Sequence, residues 1–71
     1  MPKIFEDKGY KFFFFSNEGE PLEPAHVHVR KGSHIAKFWL EPGVKLANSW
    51  GFKAHELKAI GDIVKYHRKS F

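Results

Sequence analysis

The residues best suited to chemistry lie in "PAHVHVRKG", Pro24 to Gly32. His26 and His28 flank a single valine, and Arg30 and Lys31 follow. In an extended strand, residues two apart share a face and sit roughly 6.5–7 Å from each other. His26, His28 and Arg30 then form one titratable, cationic row, while Val27 and Val29 form an apolar row on the other side. Imidazole titrates near neutrality and can both take and give a proton.

Three chemistries fit such a row. The two imidazoles could share a metal ion, with His34 or Glu41 as the third ligand. Alternatively, His26 and His28 could act as acid and base on a phosphodiester, with Arg30, Lys31 and Lys37 holding the phosphate. RNA cleavage of this kind needs no metal, because the 2′-hydroxyl is the nucleophile. In the third reading the row binds nucleic acid without reacting: cations meet phosphates, and Trp39, Tyr10 or an exposed Phe stacks on bases. The plain alternative is a wet strand face with no ligand. No cofactor is expected, and the acid/base reading involves no metal.

Other polar groups offer less. "HELKA", His55 to Ala59, opens like a zinc-protease helix, but Ala59 stands where the second histidine is required. Ser16, Ser33 and Ser49 have no nucleophile-elbow context, and no Gly-rich phosphate loop exists. His55 falls in the first turn of the C-terminal helix, and His67 falls near that helix's apolar stripe as a packed or capping residue.

The elements that must position the row follow from pattern. "KIF" reads as a short strand and "DKG" as a turn. "YKFFFFS", Tyr10 to Ser16, is a strand, with Phe12 and Phe14 on one face and Phe13 and Phe15 on the other. Asn17 to Pro24 is an acidic, proline-broken loop. "HVHVRK" and "HIAKFWLEP" (His34 to Pro42) form a hairpin around "KGS", with Phe38 and Leu40 facing the core and Lys37 and Trp39 facing away. "VKLANS" is a further short strand or a bridging turn. Lys53 to Lys69 is a helix with Leu57, Ile60 and Val64 at i, i+3 and i+7. Lys53 stands at the N-cap, where Ser or Thr would serve better, and Glu56 stands at the capping-box acid position. Gly61 weakens the helix interior.

This order predicts one α+β domain over 1–71: an antiparallel sheet of four to five strands with one C-terminal helix on one face. A single helix covers a single face. The aromatic residues of the Phe12–Phe15 strand that point away from it are expected to meet a second copy of the chain or a partner protein. A competing possibility is that the segment around Trp50 and Phe52 folds back over that face.

Composition bounds the class. The chain has 71 residues, no cysteine and a net charge of +4. That excludes disulfide stapling and thiolate chemistry. Residues 1–24 carry three lysines against five acids, whereas residues 25–71 carry nine Lys/Arg against three acids, a balance that favours an anionic partner such as RNA, DNA or an acidic protein, or else a solvated lysine surface. No apolar run is long enough to span a membrane, and no secretion signal opens the chain, so a cytoplasmic protein is expected.

The ordered set "GYKFFFFSNEGEP", "PAHVHVRKG", "AKFWLEP" and "LANSWGFKAHELKAIGDIV" resembles a family of small bacterial proteins known as domain of unknown function 4160. The family pattern falls on His26, His28, Lys37, Phe38, Trp39, Leu40, Glu41, Pro42, Gly51, Phe52, Glu56 and Leu57. The chain departs from it at Ala25 and Lys53, where relatives often carry Pro and Ser. The resemblance implies a component of a toxin–antitoxin pair, hence a protein partner and RNA as the substrate class. The expected function is RNA binding with histidine acid/base cleavage by a metal-independent ribonuclease. The alternative is a non-enzymatic module that binds a partner protein or nucleic acid through its sheet face.

Overall fold

The computed structural model describes residues 3–16 and 23–68; most of the acidic loop expected at 17–24 lies outside them. Five strands follow in order: β1 (Lys3–Asp7), β2 (Tyr10–Phe15), β3 (His26–Lys31), β4 (His34–Trp39) and β5 (Lys45–Trp50), then one helix, α1 (Ala54–His67). Neighbours in sequence are neighbours in the sheet, and every pairing is antiparallel. The expected α+β architecture is thus observed. "VKLANS" supplies a true fifth strand, with a register shift opposite Lys37 and Phe38.

Alternation sorts the side chains of β2 and β3. Phe12 pairs with Val29 and Phe14 with Val27, and these rows meet α1. Phe12, Val27, Val29, Ile60 and Val64 are the largest side chains sealed from solvent. Burying each stabilises the fold by about 1.5–3 kcal/mol relative to exposure. Phe5 stacks parallel on Phe12 with centroids 4.7 Å apart.

The helix lacks a side-chain cap. The Lys53 backbone N–H donates to Glu56 Oε1 at 3.0 Å, half of a capping box. At its other end, His67 Nε2 donates to Asp7 Oδ2 at 3.2 Å, and its ring lies against Phe5 with centroids 4.7 Å apart. His67 is therefore a packing residue that ties α1 to β1.

Between β5 and α1, Gly51 takes φ +93, and a Cβ there would overlap the His34 ring. That requirement lets Phe52 turn into the core, 6.0 Å from Tyr10 and 5.4 Å from His34 between ring centroids. Phe52 thus joins the helix side, and the segment around Trp50 leaves the opposite face uncovered.

Candidate functional site

The uncovered face is built from three cross-strand rows. One runs Glu6, Lys11, Arg30, Ile35, Trp50; the next Ile4, Phe13, His28, Lys37, Asn48; the third Phe15, His26, Trp39, Lys45. Cations and aromatic rings are interspersed across it, with Glu6 at its β1 edge. Ile4, Ile35 and Trp50 are among the exposed large apolar residues of the chain, Trp50 at 74%.

At the centre, His26 and His28 sit edge to face with centroids 5.2 Å apart. Phe15 stacks on His26 at 5.1 Å, and Trp39 meets the His26 ring edgewise at 5.8 Å. His26 is consequently only 6% exposed. Its Nδ1 lies 3.0 Å from the Pro24 carbonyl oxygen. Only a protonated Nδ1 can donate there, so the neutral ring keeps its lone pair on Nε2.

His28 is the accessible imidazole. Burial among its ring neighbours, then the charges of His26 and Lys37, lower its pKa below the ordinary histidine value, against an opposing pull from Glu23. It is neutral at pH 7 and able to accept a proton. Beside it, Phe13, Phe15, His28, Arg30 and Ile35 line a shallow groove of about 270 Å³.

Lys37 crosses the face from β4. Its Nζ lies 4.3 Å from the Trp39 ring centre and donates to Glu23 Oε1 at 3.0 Å. The same contact, and then the charge of Lys37, depress the Glu23 pKa. Glu23 therefore offsets the Lys37 charge just before the histidine strand begins. Sequence reasoning missed this acid. Its one visible signal was an acidic residue three positions ahead of His26.

His26, His28, Arg30, Lys37 and Trp39 are brought onto one face. Lys31 is not among them: it lies on the helix side, with its Nζ 4.9 Å from the Tyr10 ring centre. Tyr10 is buried against Phe12 and Phe52 and cannot stack on a base. His34 points to the helix side against Phe52, away from the His26–His28 row, so it cannot complete a metal site there. Among the described residues, no group of three His, Asp or Glu side chains is arranged to hold a metal ion, and no helix is long and apolar enough to cross a membrane.

Fold and site together define a small α+β protein with a helix-backed antiparallel sheet and an open face of histidine, cations and aromatic rings. A family model described as Domain of unknown function (DUF4160) matches residues 9–71, and the chain belongs to that family. No curated protein and no solved structure matches it.

Proposed function

We propose that this protein binds single-stranded RNA across its open sheet face, with His28 at the reactive centre. The observation that carries the reading is the interleaving of Lys11, Arg30, Lys37 and Lys45 with Phe13, Phe15, Trp39 and Trp50 on one uncovered surface. Single-strand binders combine cations that track phosphates with rings on which bases stack, each stacked base contributing about 1–3 kcal/mol. The chain's net charge of +4 supports the same ligand.

Cleavage is the finer part of the proposal. His28 takes the proton of a 2′-hydroxyl, O2′ attacks phosphorus, and the P–O5′ bond breaks. The leaving 5′-oxygen takes a proton from protonated His26, and the products are a 2′,3′-cyclic phosphate and a 5′-hydroxyl. Arg30 and Lys37 offset the charge that develops on phosphorus. In the free protein Phe15 and Trp39 enclose His26, so this step requires a bound base to displace the Phe15 ring. Within a toxin–antitoxin pair, the antitoxin would act by covering this face.

The test is titration of Trp39 and Trp50 fluorescence with a short single-stranded RNA. Saturable quenching that weakens steeply with salt supports the reading, and Arg30→Ala should lower affinity several-fold. No complex at low salt sinks it. End-labelled RNA then tests cleavage: cyclic-phosphate product that disappears in His28→Ala supports the chemistry, and RNA bound but left intact reduces the function to binding.

A second reading has its own observation. Ile4 and Ile35 are 57% and 47% exposed on the same face, and aliphatic surface of this kind suits a protein partner better than a base. A partner protein that binds the face without competing with RNA would favour this interaction-module reading.

A further inference from the structure

The sheet has two edges, and they are unlike. Edge strands present unpaired backbone groups, and natural proteins blunt them with charges, bulges or covering elements. Of its five residues, β1 carries three charges, Lys3, Glu6 and Asp7. It is also tied down by the Asp7–His67 contact at 3.2 Å and the Phe5–Phe12 stack. In β5 one residue of six is charged, Lys45, and all six are exposed. Leu46 is 43% and Trp50 74% exposed. The register shift opposite Lys37 and Phe38 is the one blunting device on that strand besides Lys45.

We propose that β5 is a dimerisation edge that pairs antiparallel with β5 of a second copy of this chain. The strand is self-complementary in that orientation. Lys45 begins it and Trp50 ends it, and both belong to the open face, opposite Trp39 and Ile35 respectively. A two-fold axis normal to the sheet sets Lys45 of each protomer beside Trp50 of the partner subunit, twice. A cation over an indole is favourable, and this chain already makes that contact between Lys37 and Trp39 at 4.3 Å. The same axis sets Leu46 near the partner's Ser49. Such an interface closes on itself, as an isologous contact must.

The geometry has a consequence for the open face. Antiparallel pairing keeps both open faces on one side of a ten-stranded sheet and both helices on the other. The row Phe15, His26, Trp39, Lys45 then continues into Trp50 of the partner subunit. The inference rests on the edge alone and does not depend on RNA binding.

Sedimentation equilibrium of the full chain across a wide concentration range, without RNA, is the test. The expected result is a mass that rises from one copy to two. Trp50→Lys sets a cation against the partner's Lys45 and should weaken the dimer by about tenfold or more. The double variant Lys45→Glu with Trp50→Lys replaces the cation–ring contact by an ion pair and should restore association. Circular dichroism confirms that both variants keep the fold. Amides of β5 should exchange more slowly as concentration rises. A single-copy mass at every concentration overturns the proposal, as does a dimer indifferent to Trp50→Lys, which would put the interface elsewhere. Pairing of β5 only with a strand of another protein overturns it as well.

Discussion

Alternate residues of the same strands build two surfaces with opposite physics. In β2 and β3, Phe12, Val27 and Val29 are sealed against the helix, while Phe13, His28 and Arg30 one position away stay on the open face. On the helix side, rings pack on one another, Phe5 on Phe12 and Tyr10 against Phe12 and Phe52, and His34, His67 and Lys31 meet them only from positions that keep some exposure. On the open side the rings meet imidazoles and ammonium groups: Phe15 on His26, and Lys37 over Trp39. The lesson is that "FFFF" is not one apolar block but two half-patterns of period two. One half fills a core. The other, Phe13 and Phe15, stays half-buried on the open face.

The sharpest way to break this comparison is to remove one ring from each side. Phe12→Ala should cost about 3–5 kcal/mol, because the ring is fully buried and its removal leaves a cavity that the surroundings fill only in part. A domain of this size has only about 4–11 kcal/mol in total at roughly 0.05–0.15 kcal/mol per residue, so this variant should be largely unfolded on mild heating. Phe13→Ala, its neighbour, should cost under about 1 kcal/mol and instead weaken RNA binding. Urea denaturation of the two variants checks the pair. Equal losses would mean that the open face is a second structural core.

A second pair compares glycines. Gly51→Ala should destabilise by about 1–3 kcal/mol, since its Cβ meets the His34 ring and overpacking carries that cost. Gly61→Ala should stabilise by about 0.5–1 kcal/mol. There the added Cβ reaches Phe38 Cε2 at 3.6 Å, an ordinary contact, in the middle of a helix. Thermal unfolding should move the two variants in opposite directions.

Much of this was legible beforehand, and the failures have physical reasons. Alternation alone separated Phe12 and Phe14 from Phe13 and Phe15, and Val27 and Val29 from His26, His28 and Arg30; which phenylalanines share the valines' side was set by the β2–β3 register. The same alternation separates Lys31 from Arg30, so grouping the two as phosphate ligands overlooked the period. The Glu23–Lys37 contact spans 14 positions and depends on the β3–β4 register, which no local pattern encodes. "VKLANS" was ambiguous because Asn and Ser are weak strand formers; its pairing with β4 decided the matter. The direction of Phe52 hinged on the conformation of Gly51.

The smallest expected effect is also the most specific to the open face. The groups facing His28 are Phe13, Phe15 and Lys37 across the strands, His26 on its own strand, and Glu23. Burial, His26 and Lys37 together hold its folded pKa below the ordinary histidine value of 6.5. Just below that pH the unfolded chain therefore binds more protons than the native one, and stability rises with pH. His28's contribution is complete above the unfolded value and declines as the pH falls through it toward the lowered native pKa. In an NMR titration His28 should accordingly protonate at lower pH in the folded protein than in the urea-unfolded chain. His28→Gln should flatten the fall in melting temperature between neutral and mildly acidic pH. RNA phosphate beside the ring favours the imidazolium and should push the His28 pKa back up. An upward shift on adding RNA ties the imidazole to the binding surface. A pKa that ignores RNA while the tryptophan signal responds moves the ligand off the histidine row and toward Arg30 and Trp50.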